Sequence, residues 1–259
     1  MILPYLPERE EKPRTKGITM MMDKGLSIDE VKNIIQAGGH LIDFAKLGFG
    51  TSLVSNDIKE KVKLYRDAGI RVFLGGTLFE AFLIRDKIKD YEKLMDDFNV
   101  DAVEISDGSI IMDHQKKCDY INYFAKSKLV VSEVGAKEEA VIIDSDKWVH
   151  DMAAELQAGS SFVIGEARES GKVGIYGKTG NANDNLINDI LEKIPSEKII
   201  WEAPLKCQQV WFIKLLGYNV NLGNISQTDI IPLETLRLGL RGDTFFDFLP
   251  EEFQKHRLC

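Results

Sequence analysis

Eight short apolar runs alternate with amphipathic segments along this chain of 259 residues, and the alternation predicts an α/β protein, a single-domain (β/α)8 TIM barrel. The runs are rich in β-branched and aromatic residues, which favour strands. Several of the segments between them end in Ala-Gly or Leu-Gly, the expected signal for the end of a helix. An open doubly wound sheet is the alternative, but the GxGxxG turn that normally follows its first strand is missing.

The predicted elements follow one another without a linker-like break. The strands, in chain order, are GITMMMD, HLIDFAKLG, IRVFLGGT, DAVEISDG, KLVVSEVG, SSFVIGEA, KIIWEAP and NVNLGNI. Amphipathic periodicity predicts helical segments over residues 27–37, 57–68, 79–98 and 146–158. We expect the barrel to occupy residues 17–249, with an N-terminal extension at 1–16 and a C-terminal tail at 250–259. These two ends have the character of oligomer arms, so a homo-oligomer is expected.

Composition excludes several function classes. The chain has 33 Lys and Arg against 41 Asp and Glu, a net charge of −8, which argues against nucleic acid or an anionic membrane as the main partner. Cys118, Cys207 and Cys259 lie far apart without CxxC spacing, which fits reduced thiols and no structural zinc site. No signal-peptide pattern and no apolar run of about 18 residues is present. We therefore expect a cytoplasmic protein that binds neither nucleic acid nor membrane.

Carboxylates recur near the C-terminal ends of four successive predicted strands, the face where barrel active sites form. They belong to Glu104, Glu133, Glu166 and Glu202. Clustered carboxylates suit Mg²⁺, a hard cation that takes one or two protein carboxylates and keeps water and substrate oxygens as its other ligands. The competing interpretation is that each glutamate makes a local ion pair with a lysine or arginine that follows it, at Lys137, Arg168 or Lys206.

Cations follow the same strand ends. In SEVGAK, Glu133 and Lys137 point the same way if the strand continues that far, and Lys137 is then either a proton donor or a solvated lysine before an acidic helix start. Lys46 precedes glycines and hydroxyls in DFAKLGFGTS, a turn suited to an oxyanion. Arg241 follows the last strand, where barrels commonly bind phosphate, although a structural arginine fits equally. The glycine-rich residues 171–183 suit either a lid or a surface connection.

Taken together and in order, eight strings resemble the phosphosulfolactate synthase family over about residues 16–246. They are DFAKLGFGTS, GGTLFE, VEISDGS, SEVGAK, EARESG, EAPLKCQQ, NLGNI and LETLRLGLRGDTF. Two mild departures are Phe49, where the family has Trp, and Gly223, where it has Ala. The resemblance implies a lyase that adds sulfite to phosphoenolpyruvate, with Mg²⁺, to give (2R)-phospho-3-sulfolactate for coenzyme M or sulfolactate synthesis.

The implied reaction assigns roles to the candidate residues. It needs positive charge opposite an enolate-like dianion and a proton for the neighbouring carbon. We expect Lys137 and Lys46 to be catalytic and Glu104 and Glu133 to hold Mg²⁺. The expected substrate-binding residues are Arg168, Lys206, Asn221 and Arg241. The alternatives are a Schiff-base aldolase, in which Lys137 attacks a carbonyl, and a non-catalytic barrel similar to plant heat-stress-associated proteins.

Overall fold

Eight parallel strands close into a barrel in the computed structural model, which describes residues 3–135, 144–167, 170–177 and 179–258. Each strand pairs with its neighbours in chain order, and the eighth pairs with the first. They are β1 Thr19–Asp23, β2 Phe44–Leu47, β3 Arg71–Leu74, β4 Ala102–Ile105, β5 Leu129–Val134, β6 Phe162–Gly165, β7 Ile199–Glu202 and β8 Leu222–Ser226. The predicted barrel and all eight predicted strand positions are confirmed.

Helices cover the outside of the barrel. In the described parts of the chain they are α1 Ile28–Gly38, α2 Ile58–Asp67, α3 Gly76–Leu83, α4 Ile88–Phe98, α5 His114–Phe124, α6 Ser145–Ala158, α7 Asp184–Lys193, α8 Lys206–Leu216 and α9 Ile230–Arg237. The helical segment predicted over residues 79–98 is wrong as a single element. Asp86 has a φ of 56°, a left-handed conformation that an α-helix cannot continue through, so the chain forms α3 and α4 instead. None of the helices in these ranges is long and apolar enough to cross a membrane.

The strands bury both faces, and their alternation sets the position of the polar residues. One apolar cluster fills the inside of the barrel and includes Phe44, Ala102, Val131, Ile164 and Ile200. Side chains two positions apart on a strand point to the same side. The residues two positions further along from these five are Lys46, Glu104, Glu133, Glu166 and Glu202. The lysine and the four glutamates therefore form the next inward-facing layer, at the C-terminal end of the barrel.

The N-terminal segment packs against the opposite end of the barrel. Arg9 Nε lies 2.9 Å from Glu234 Oε1, and its side chain is only 8% exposed. Arg9 also donates to the carbonyl of Gly17, just before β1, at 2.9 Å. Arg14 pairs with Asp43 at 3.1 Å, immediately before β2. Residues 3–16 are thus held by buried ion pairs where the strands begin, and the polar layer lies at the far end.

We expect Arg9→Ala to lower the free energy of unfolding by about 3 kcal/mol, because it leaves the largely buried Glu234 without its guanidinium partner. Urea denaturation measures the change. Lys63→Ala is the control, since Lys63 pairs with Asp67 in an exposed i, i+4 pair that contributes little. A loss in the Arg9 variant no greater than that in the control would show that the N-terminal segment is not bound as described.

Candidate active site

A cavity of about 550 Å³ opens at the C-terminal end of the barrel. Its walls include Lys46 on β2, Asn224 on β8 and the backbone of Gly75 and Gly76 at the start of α3. Its lining also includes the polar residues Thr77, Glu104, Glu133, Glu166, Ser170 and Glu202. The cavity therefore gathers the inward-facing layer of Lys46 and the four glutamates, together with Asn224, from six different strands or the loops just beyond them.

Lys46 lies among the glutamates. Its Nζ is 2.8 Å from Glu104 Oε2 and 3.4 Å from an oxygen of each of Glu133 and Glu202. Burial lowers the pKa of this ammonium, but the surrounding carboxylates outweigh burial and raise the pKa well above its ordinary value. Lys46 is therefore a fixed positive charge at neutral pH. In the described residues this one lysine pairs with three of the glutamates, and the ion pairs expected from sequence with Lys137 and Arg168 stay predictions.

Three of the glutamates are close enough to share a cation. Glu133, Glu166 and Glu202 each offer a carboxylate oxygen, and these oxygens lie within 4.8 Å of one another. All three residues are buried. Buried carboxylates in this number fit a hard divalent cation such as Mg²⁺, which prefers oxygen ligands. The donor set thus matches the cation expected from sequence, but through three strand ends, β5 to β7.

Glu104 has a different environment from the other predicted ligand, Glu133. Its Oε1 accepts a hydrogen bond from the backbone N–H of Gly76 at 2.8 Å, and its Oε2 faces Lys46. Glu104 does not join the group of three carboxylates. Glu104 therefore stays a predicted metal ligand outside this group, whose members beside Glu133 are Glu166 and Glu202. The sequence signal for them was present, since both follow an inward apolar residue by two positions.

Glu202 is held by hydrogen bonds from two directions. Its Oε2 accepts from the backbone N–H of Ala167 at 2.9 Å and from Asn224 Nδ2 at 3.3 Å. Burial raises the pKa of this carboxyl to about 7, while Lys46 lowers it and Glu133 adds to the rise. Glu202 is therefore easily protonated near neutral pH unless a further cation lies beside it.

The remaining predicted cations fall in two groups. Lys206, the first residue of α8, is half exposed and pairs with Asp243 at 2.8 Å. Arg241 precedes that aspartate by two residues, and neither cation is among the residues that line the cavity. Lys137 and Arg168 lie outside the described residues. Their predicted roles, like that of Arg241 with phosphate, stay predictions.

Asn221 is not brought to this cavity. It lies just before β8, at the end of the barrel where the strands begin. Its Nδ2 donates to the carbonyls of Glu197 and Ile199, and its Oδ1 accepts from the backbone N–H of Ile18. The expected substrate-binding role of Asn221 is therefore corrected to a structural one. The asparagine that reaches the cavity is Asn224, three residues later.

The glycine-rich loop after β6 is packed against the barrel where it is described. Ile175 and Tyr176 are buried, and the phenol of Tyr176 donates to the carbonyl of Glu202 at 2.8 Å. Gln208 on α8 donates to the carbonyls of Gly171 and Gly180 at 2.9 and 3.2 Å. These contacts tie the described part of the loop to the same strand end that presents Glu202.

Lys117 is a buried residue near the site that the sequence did not single out. Its Nζ lies 2.8 Å from Asp107, just beyond β4, and 2.7 Å from the backbone carbonyl of Glu133. Glu155 on α6 is a third partner at 2.8 Å. An ammonium has three donors, so Lys117 fastens the ends of β4 and β5 to α6. No local pattern marks this lysine, because its partners come from three other elements.

A family model and two relatives point to the same family. The family described as (2R)-phospho-3-sulfolactate synthase (ComA) matches residues 7–243. The phosphosulfolactate synthase of Methanothermobacter thermautotrophicus is 40% identical over 244 residues, which cover 92% of this chain and 95% of that protein. The phosphosulfolactate synthase of Bacillus subtilis is also 40% identical over 244 residues, with 93% and 97% covered. The structure of 3-hexulose-6-phosphate synthase from Salmonella typhimurium is similar in fold alone, with a TM-score of 0.52 at 16% identity, covering 85% of this chain and 99% of that one.

Proposed function

Since this chain belongs to the (2R)-phospho-3-sulfolactate synthase family, we propose that it is a lyase that adds sulfite to phosphoenolpyruvate, with Mg²⁺, to form (2R)-phospho-3-sulfolactate. The observation that carries the proposal is the group of three buried carboxylates beside a charged lysine in the mouth of the barrel. The free cysteines Cys118 and Cys207 support a cytoplasmic location. Homo-oligomerisation stays a prediction, which a measurement of mass in solution would test.

The reaction needs positive charge where negative charge develops. The sulfur of sulfite attacks the methylene carbon of phosphoenolpyruvate and forms the C–S bond, while the electron pair of the double bond moves toward the carboxylate as an enolate-like dianion. Glu133, Glu166 and Glu202 would hold Mg²⁺, which when bound supplies the positive charge opposite that dianion. The ammonium of Lys46 lies against two of these carboxylates, Glu133 and Glu202, and adds a second fixed positive charge.

Protonation of the carbon that bears the phosphate ester completes the addition. We assign the proton donor to Lys137, four residues beyond Glu133, as a general acid. The high pKa of Lys46 makes it a poor source of a proton, and it leaves Lys46 for electrostatic stabilisation instead. Arg168 and Arg241 are the proposed partners of the anionic groups of the two substrates, with Lys206 as a further candidate.

The Schiff-base alternative needs a neutral amine, because an ammonium has no lone pair with which to attack a carbonyl. Lys46 does not meet this condition, since its surrounding glutamates hold it in the charged form. Only a different lysine, such as Lys137, would serve. Treatment with substrate and borohydride distinguishes the two reactions, because only an aldolase of this type leaves a reduced covalent adduct on the protein.

The direct test is to incubate the protein with phosphoenolpyruvate, sulfite and Mg²⁺ and to look for phosphosulfolactate by mass spectrometry. We expect a product that requires both substrates. Absence of a sulfite-dependent product at every Mg²⁺ concentration would instead support a barrel that has lost catalysis.

We expect EDTA to abolish product formation and added Mg²⁺ to restore it, because the three buried carboxylates are the proposed ligands. Mg²⁺ should also raise the melting temperature of the EDTA-treated protein, since a ligand that binds only the folded state stabilises it. Full activity after exhaustive chelation would contradict the metal requirement.

A further inference from the structure

A bulge in β8 directs the side chain of Asn224 toward the active-site cavity. Against β1, Thr19 pairs with Leu222 but Met21 pairs with Ile225, so β8 contains one extra residue over this stretch. Leu222 and Ile225 both pack in the outer cluster between sheet and helices. Gly223 faces the inside, since a Cβ there would lie 2.5 Å from Met20 Cε. With Asn224 lining the cavity, two consecutive residues face inward, which a regular strand does not allow.

The backbone of Asn224 is unusual in the same place. Its φ is 58°, in the left-handed region that few residues other than glycine adopt. Asparagine tolerates this conformation better than most side chains do. Without the extra residue, Asn224 would share the direction of Leu222 and point into the outer apolar layer. The bulge and the left-handed conformation together give the amide a place in the cavity wall, and such local strain is typically found at functional sites.

The amide of Asn224 connects two strand ends. Nδ2 donates to the carbonyl of Ala167 at 3.1 Å and to Glu202 Oε2 at 3.3 Å. The same Oε2 accepts from the N–H of Ala167, so one oxygen of Glu202 accepts hydrogen bonds from both Asn224 and Ala167. The other oxygen, Oε1, remains directed at Lys46 at 3.4 Å. A carboxylate at position 224 would repel Glu202, and an apolar residue would leave Oε2 with one donor fewer.

We propose that Asn224 is a positioning residue that fixes the orientation of the Glu202 carboxylate for cation binding and catalysis, and that the β8 bulge exists to place it. The expected effect on kcat rests on the proposed function, whereas the expected effect on the orientation of the Glu202 carboxylate does not. Partners that orient a metal-binding carboxylate typically contribute about 10- to 100-fold in metal affinity or activity. An effect of this size is expected for the loss of the amide.

The test compares Asn224→Gly, Asn224→Asp and Asn221→Ala. Glycine adopts the left-handed conformation without strain, so Asn224→Gly should fold with a melting temperature close to that of the wild-type protein. We expect its kcat to fall about 10- to 100-fold. Its dissociation constant for Mn²⁺, the divalent cation used as a probe in place of Mg²⁺, should rise by a similar factor. Asn224→Asp should lose at least as much kcat through repulsion of Glu202. Asn221→Ala, the control from the other end of the same strand, should lower the melting temperature and keep the wild-type kcat.

A crystal structure of Asn224→Gly gives a readout that is independent of activity, and we expect the Glu202 carboxylate to be rotated or disordered. Unchanged kcat and Mn²⁺ affinity in Asn224→Gly, or a Glu202 carboxylate that keeps its position, would overturn the proposal. If the wild-type protein forms no phosphosulfolactate, the proposed function fails, and the Mn²⁺ titration and the Glu202 position still decide the role of Asn224.

Discussion

Glu133→Gln is expected to lower kcat at least about a hundred-fold, or about 2.7 kcal/mol in barrier, with little change in fold. The substitution keeps the shape of the side chain and removes one of three charges that surround the proposed cation position. It also removes one of the carboxylates that contact Lys46. Steady-state kinetics and a Mn²⁺ titration measure the two consequences, and both are expected to change together.

Glu234→Gln is the matched control for this variant. Glu234 is also a buried, ion-paired glutamate, but it contacts Arg9 where the strands begin. Its replacement should reduce stability and leave kcat unchanged. A loss of less than about tenfold in Glu133→Gln, or about 1.4 kcal/mol, would reduce Glu133 to a structural partner of Lys46.

Lys46→Met is expected to abolish measurable activity and to lower the free energy of unfolding by about 3–5 kcal/mol, because it leaves buried carboxylates without their shared ammonium. The loss of stability caused by the substitution should depend on pH in EDTA-treated protein. Burial raises the pKa of Glu202 from an ordinary 4.5 to about 7, so wild-type stability should fall as pH rises across that window. Lys46 opposes this fall, because its positive charge lowers the pKa of Glu202. Urea denaturation from pH 4.5 to 7 should show a steeper decline in the variant.

Lys137→Ala separates electrostatic stabilisation from proton donation. As the proposed general acid, Lys137 should contribute about 100-fold or more to kcat, with phosphoenolpyruvate binding largely intact. If Lys137→Ala bound phosphoenolpyruvate poorly but kept its kcat at saturation, Lys137 would be a binding residue.

For Lys46, the contradicting result is a Lys46→Met variant that retains wild-type stability across the pH range. Its ion pairs with the buried glutamates would then be weaker than expected.

The sequence by itself determined the barrel and the composition of its polar end. Strand positions follow from local apolar runs, and inward orientation follows from a period of two, so Glu104, Glu133, Glu166 and Glu202 were recognisable as neighbours at the correct end. Both signals are contained within a few adjacent residues. The resemblance to the family came from motifs that also retain their order along the chain.

Only the tertiary structure decided which groups meet. Lys46 is 87 residues from Glu133 and 156 from Glu202, and barrel closure alone brings them together. Asn224 reaches the cavity, where Asn221 was expected, through a bulge that appears only when β8 is aligned with β1. A local pattern specifies the side of a strand a residue faces, but a partner distant in sequence and a one-residue change in register are fixed by the packing of the whole barrel.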